Sequence, residues 1–339
     1  MSLSITIRVD GGPEIGYGHL IRSNSLTEKF LSREQAVTIA TTTPEPARSV
    51  FPDAVEVITL PSRGNPDPFA EWLDANSQDI VFTDAYPVDT EYQHAIHDRV
   101  SLAVLQDDTR HAVCSDLFIN GNLSASDINY EFIGEKPKTC LGTDYALLGR
   151  KIRNRAKDEP PWRAQPERAL VIMGGSDIAN LMPTAVRAFD GFDIHVDAIV
   201  GPGFSAAQER TIRATAEDIS ADVCIARDPD DLVERMFQAD FAVSTSSSTT
   251  YELLALGTPI VSVPVVDNQE PIAQSLRERD VARTLDRDAG KEAFIRAIEA
   301  YMADQEQRQA YRNLGRQLVD GRGVERVSAE ILSLSEDNG

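Results

Sequence analysis

Ile5-Thr6-Ile7-Arg8-Val9-Asp10-Gly11-Gly12-Pro13-Glu14-Ile15-Gly16-Tyr17-Gly18-His19 begins as a short β-branched run, breaks at a glycine-rich turn and leads into an amphipathic stretch over 19–31. A strand, a tight turn and a helix in that order open a parallel sheet wrapped by helices. The alternation repeats along the chain. Strands are expected over 5–10, 36–40, 55–60, 80–84 and 102–106, with helices over 19–31, 68–75 and 90–98. Around Arg150-Lys151-Ile152-Arg153 the pattern gives way to charge, and Pro160-Pro161 follows, which marks a linker. Strands resume over 168–173, 194–200, 222–226, 241–244 and 260–263, and the chain closes in helices over 292–302, 305–318 and 324–334.

The expected organisation is α/β: a Rossmann-like domain over 1–150, a linker over 151–166, a second Rossmann-like domain over 167–320 and a C-terminal helix over 321–339. Open parallel sheets bind ligands beyond the carboxyl ends of their strands, so two of them facing each other across a cleft would gather function in the loops that follow the strands.

Composition narrows the classes of function. A net charge of −21 repels nucleic acid, whose binding is largely phosphate neutralisation by basic side chains. Only six of the 33 basic residues are lysine, and the acid is dispersed along the chain, a balance suited to concentrated salt. No run of about 20 apolar residues suggests a membrane span, and no basic and apolar leader opens the chain, so the expected location is the cytoplasm. Nothing points to an obligate protein partner. Cys114, Cys140 and Cys224 are odd in number and far apart, which favours reduced core residues over a disulfide framework.

Three loops carry candidate chemistry. In the first, Gly16 and Gly18 let the backbone approach a ligand closely, and His19 stands at the tip of the helix as a candidate general base. In the second, Met173-Gly174-Gly175-Ser176-Asp177 ends a strand and is expected to open a helix near Ile178; its free N–H groups and the Ser176 hydroxyl suit phosphate oxygens. In the third, Ser244-Thr245-Ser246-Ser247-Ser248-Thr249-Thr250 offers hydroxyl donors to a diphosphate, with Glu252 placed to accept from a ribose diol. No His or acidic cluster has metal spacing; Asp107-Asp108 reads as a turn. His94 and His97 read as solvated, His195 as an edge residue, Trp72 and Trp162 as packing.

The order of these motifs resembles nucleotide-sugar enzymes of the GT-B fold. The peptidoglycan UDP-N-acetylglucosamine transferases share the glycine-histidine turn and the Gly-Gly-Ser loop. A closer resemblance is to the UDP-2,4-diacetamido-2,4,6-trideoxy-β-L-altropyranose hydrolases of pseudaminic acid biosynthesis and the related spore-coat polysaccharide proteins. It is carried by Ile15-Gly16-Tyr17-Gly18-His19, Gln106-Asp107-Asp108, Cys114-Ser115-Asp116-Leu117-Phe118-Ile119-Asn120, Asp144-Tyr145-Ala146-Leu147-Leu148, the segment from Met173 to Leu181, and Val266-Asp267-Asn268-Gln269. The resemblance implies an essential His19 and Tyr86, and nucleotide contacts at Gly174, Gly175, Ser246, Ser247, Glu252, Asn268 and Gln269. The hydroxyl-rich loop from Ser244, Ser248 and Thr249 included, departs from the glycines many relatives carry. The implied reaction is metal- and cofactor-free displacement of UDP at the anomeric carbon by water that His19 activates. Two rivals remain open: a GT-B glycosyltransferase in which His19 activates an acceptor hydroxyl, and a noncatalytic nucleotide-sugar sensor.

Overall fold

Ile5, Ile7 and Val9 are fully buried on one face of β1 (Ser4–Val9), and Thr6 and Arg8 are buried on the other, so this strand lies inside a sheet and not at its edge. In the computed structural model, which describes residues 2–335, β1 sits between β2 (Ala36–Thr41) and β4 (Ile80–Asp84). β3 (Glu56–Thr59) pairs outside β2; β5 (Ser101–Leu105), β6 (Leu117–Asn120) and β7 (Lys138–Leu141) continue beyond β4. All pairings are parallel, in the order β3-β2-β1-β4-β5-β6-β7. Helix Gly18–Leu31 covers one face through Leu20, Leu26 and Phe30. The other face packs Phe69, Tyr92 and Phe118.

Sequence periodicity misses β6 and β7, and the helix Pro44–Val50. β6 and β7 are four residues each, and no helix separates β5 from β6, so the strand-helix rhythm that marks the other strands is absent. The chain also returns: helix Gly323–Ser333 buries Val324, Val327 and Ile331 in the same core as Ile5 and Ile7, so residues 2–150 and 321–335 form one unit.

The second unit, residues 151–320, repeats the plan. β8 (Arg168–Ile172), β9 (His195–Val200), β10 (Asp222–Arg227), β11 (Phe241–Thr245), β12 (Ile260–Val263) and β13 (Arg283–Thr284) form a parallel sheet ordered β10-β9-β8-β11-β12-β13. Phe189, Phe241, Phe294 and Tyr301 fill its core. In each sheet the strand order reverses beside the first strand, between β1 and β4 and between β8 and β11. Such a switch point parts the loops and opens a crevice at the carboxyl edge.

The segment read as a linker is held firmly within this second unit. Arg308, Arg312 and Arg316, spaced by four on helix Gln305–Leu318, donate to the carbonyls of Ala156, Asp158, Pro160, Pro161 and Ala164. A planar guanidinium with five donors can bridge successive carbonyls in this way, as an ammonium cannot. Trp162 is 41% exposed, with the guanidiniums of Arg308 and Arg312 at 5.5 and 5.6 Å from its ring, so it differs from the packing residue expected. Trp72 stacks on Phe69. His195 is not on an edge: β9 lies between β8 and β10, and Nδ1 of His195 meets Asp222 at 2.7 Å. Cys114 and Cys140 are buried, whereas Cys224 on the outer strand β10 is half-buried and lies outside the core.

Candidate active site

The turn after β1 is closed by paired backbone bonds, Gly12 N to Gly16 O at 3.1 Å and Gly16 N to Gly12 O at 2.7 Å. Gly16 sits at φ +92°, a conformation that side chains rarely adopt, which is why the turn needs glycine there. The turn delivers the chain into helix Gly18–Leu31 with His19 as its second residue, 9% exposed.

Parallel register pairs Val9 with Asp84, so the loop that carries His19 leaves the sheet beside the end of β4. His19 Nδ1 lies 2.7 Å from Asp84 Oδ1. Asp84 also receives Arg22: Nε donates to Oδ2 at 2.6 Å and Nη2 to Oδ1 at 2.5 Å. Burial alone would push the Asp84 carboxyl up, but the Arg22 guanidinium and then His19 outweigh it and hold it well below the usual carboxylate range. Arg22 Nη2 also lies 3.1 Å from His19 Nδ1, but its two hydrogens serve Asp84 and Asp107. An ionised carboxylate can only accept, so the 2.7 Å contact places a proton on His19 Nδ1. Nε2 is then the ring nitrogen left with a lone pair.

The same guanidinium reaches the loop after β5, with Nη1 3.1 Å from Asp107 Oδ1 and Nη2 2.9 Å from Asp107 Oδ2. Asn122 Nδ2 donates to Asp107 at 3.2 Å. Asp107 is thus no simple turn residue, and the reading of Asp107-Asp108 is corrected for the first of the pair. Asp108 does serve locally, binding the Arg110 side chain. Tyr86 stands edge-on to the His19 ring, centroids 4.7 Å apart, and the Arg110 guanidinium lies 4.1 Å from the centre of the Tyr86 ring. Burial and Asp107 raise the Tyr86 phenol, which keeps it protonated. His19, Arg22, Asp84, Tyr86, Asp107 and Arg110 line a hollow with about 10 Å³ of room for a water's centre, which is one water molecule.

In the second unit Gly174 and Gly175 follow β8, and the hydroxyl loop follows the adjacent β11. Gly174 takes φ +73°. The turn Gly201-Pro202-Gly203 after β9 packs on this loop; a Cβ on Gly201 would fall 2.6 Å from Gly175 O, and Gly203 N donates to that oxygen at 2.9 Å. No helix opens at Ile178. Asp177 and Asn180 take positive φ, the Asp177 carboxylate accepts from Leu181 N and Met182 N, and the helix begins only at Met182. Ser176 is half-buried beside the exposed Gly175.

Ser246 does not reach a ligand surface. It is 0% exposed, its Oγ lies 2.7 Å from Ser262 Oγ and its N–H donates to Val263 O, because the strand pairing continues through it. Ser247, Ser248 and Thr249 are at least partly exposed at the start of helix Ser248–Leu256. Glu252, one turn in, is half-buried without a hydrogen bond or ion pair to any described residue, and burial pushes its carboxyl up to about 7. Asn268 is exposed after β12, and Gln269 Oε1 accepts from Val265 N at 2.9 Å.

Of the remaining histidines, His94 is exposed beside Asp98. His97 is half-buried and not simply solvated: Nε2 lies 3.0 Å from Asp116 Oδ1, and this bond raises its ring above the ordinary value. Among the described residues no group of three His, Cys, Asp or Glu could hold a metal ion, and no helix is long and apolar enough to cross a membrane.

The fold and strand order define a class, the GT-B arrangement of two Rossmann-like domains with sheets of seven and six strands. MurG of Acinetobacter baumannii superposes with a TM-score of 0.71 at 12% identity, over 98% of this chain and 99% of its own. CalG4, the calicheamicin glycosyltransferase, gives 0.69 at 15% identity over 98% of each chain. In sequence the chain is 22% identical over 344 residues to the spore coat polysaccharide biosynthesis protein SpsG of Bacillus subtilis, covering 98% of this chain and 99% of that protein. It is 26% identical over 212 residues to the UDP-N-acetylglucosamine–N-acetylmuramyl-(pentapeptide) pyrophosphoryl-undecaprenol N-acetylglucosamine transferase of Hydrogenovibrio crunogenus, covering 59% of this chain and 58% of that one. No protein-family model matches the chain.

Proposed function

We propose that this chain is a GT-B enzyme of surface-polysaccharide biosynthesis that takes a UDP-sugar and moves the sugar to a hydroxyl acceptor. The observation that carries the reading is the His19 Nδ1–Asp84 contact of 2.7 Å at the carboxyl edge beside β1. A carboxylate that holds the Nδ1 proton leaves Nε2 free to deprotonate the attacking hydroxyl, and it stabilises the imidazolium that forms. The attacking oxygen bonds to the anomeric carbon as the bond to the β-phosphate oxygen breaks, and the released proton rests on Nε2. Tyr86 packs the ring edge-on and limits its rotation.

The nucleotide belongs to the second unit in this reading. Backbone N–H groups of Gly174 and Gly175, the Ser176 hydroxyl and the N-terminal turn at Ser247, Ser248 and Thr249 take the diphosphate, whose charge grows as it leaves. The half-buried Glu252 accepts from the ribose diol, and Asn268 with Gln269 flanks the nucleotide. Ser246 acts only behind this surface. The glycosyltransferases that share the fold and the spore-coat relative support sugar transfer as the general chemistry.

A second reading, hydrolysis of a 2,4-diacetamido-trideoxyhexose UDP-sugar to free sugar and UDP, is favoured by one observation. The hollow beside His19 has room for a single water. Incubation with UDP-, GDP- and CMP-sugars, followed by NMR, separates the two. Free sugar of inverted configuration without added acceptor establishes hydrolysis, and glycoside formed only with acceptor establishes transfer. Turnover retained in His19→Asn overturns both.

A further inference from the structure

Arg22 binds two carboxylates at once, and this sets the charge around His19. We infer that Arg22 and Asp107 are positioning residues that balance the His19–Asp84 pair, so that the imidazole can take up a proton and release it again within one catalytic cycle. The inference rests on the proposed role of His19 as base.

One guanidinium forks onto Asp84 through Nε and Nη2, and onto Asp107 through Nη1 and Nη2. With neutral His19 the group holds one cation against two anions; with imidazolium it holds two of each. The cluster is therefore short of one positive charge in the resting state and neutral when His19 has accepted a proton. A general base needs this asymmetry in moderation. If both anions faced His19 without Arg22, they would favour the imidazolium over the neutral base. With Asp84 and Arg22 alone, the protonated ring would lose the second anion that steadies it.

The groups come from separate elements, and each is held. Arg22 shares the helix of His19 one turn on, Asp84 ends β4, and Asp107 follows β5 and is pinned by Asn122 beyond β6. The other titratable or charged groups facing the hollow are Tyr86, Arg110 and His111. Arg110 is already paired with Asp108, Tyr86 stays protonated, and His111 Nε2 lies 3.2 Å from Tyr86 O. Asp107 and Arg22 are thus the pair whose removal changes the charge at His19 in opposite senses.

The test is a pH titration of the His19 ring in the full chain by NMR, with His19 assigned by its missing signal in His19→Asn, alongside the pH profile of UDP release. Arg22→Met is expected to raise the midpoint of the ring and the acid limb of kcat/KM by about one to three pH units. Asp107→Asn is expected to lower both by about one unit or more. Arg22→Lys, which keeps charge without the fork, is expected to leave the midpoint near wild type while kcat falls at least about tenfold and KM stays. If Arg22→Met does not fold, Asp107→Asn decides, since it swaps one oxygen for nitrogen. Midpoints that do not move, or move the same way in both variants, overturn the inference while the function stands. Turnover by His19→Asn instead removes the function and leaves the titration of the ring still measurable.

Discussion

Asp84 is the residue on which the proposed chemistry at His19 depends most directly. It is 1% exposed, ionised, and in contact with both the imidazole and Arg22. Asp84→Asn replaces an obligate acceptor by an amide that can donate towards Nδ1, which favours the tautomer with its proton on Nε2. Turnover is expected to fall by about 10² to 10⁴-fold with UDP affinity unchanged, measured by steady-state kinetics and calorimetry. Glu252 makes a different prediction. Its folded carboxyl titrates at about 7 against an ordinary 4.5, so the native state holds its proton more tightly than the unfolded chain does. Stability from this group is full below pH 4.5 and is lost as pH rises through 7, at a cost of at most about 3 kcal/mol. Glu252→Gln should flatten that slope in urea melts between pH 5 and 8; an unchanged slope would place the pH dependence elsewhere. Bound UDP should weaken the slope as well, if the ribose diol donates to the carboxylate.

At the scale of elements, Asp144-Tyr145-Ala146-Leu147-Leu148 has a structural explanation. Its backbone lies against Gly121 and Gly323, where an added Cβ would come within 2.9 Å and 2.2 Å of Tyr145 or Ala146 backbone atoms. The motif thus seats helix Gly323–Ser333 on the first unit. Gly323→Ala should destabilise the protein by about 1–3 kcal/mol in equilibrium unfolding, because backbone must move to admit the methyl. Two-domain rhythm, and the loops after β1, β8 and β11, were legible because glycines and hydroxyls gather just where strand gives way to helix. The His19 network was not. Arg22 and Asp107 stand 85 residues apart, and only the β1-β4-β5 order brings them together. The one local signal was Arg22 three positions after His19, a spacing that puts two side chains on one helix face. Hydroxyl content misled at Ser246, since sequence does not reveal that β11 pairing continues past Thr245 and buries it.

For the whole molecule, charge is the property that most sets how stability answers to the solvent. A net −21 spread over both units must repel itself in dilute buffer, and the buried ion clusters at Arg8–Asp10 and Arg22–Asp84 do not relieve the surface. Screening shortens from about 10 Å at 0.1 M salt to about 3 Å at 1 M, so the thermal midpoint should rise as KCl is raised over that range. A midpoint that is flat or falls would remove self-repulsion as a limit on stability. Both units also present their glycine or hydroxyl loops at the switch point of the sheet, where open parallel sheets bind ligands.

The most direct measurement is UDP release from a UDP-sugar by wild type and His19→Asn, with UDP affinity determined for both. General-base catalysis by His19 predicts a fall of about 10² to 10⁴-fold in turnover at unchanged UDP affinity. A variant that releases UDP within about tenfold of wild type would contradict the assignment of His19 as the base.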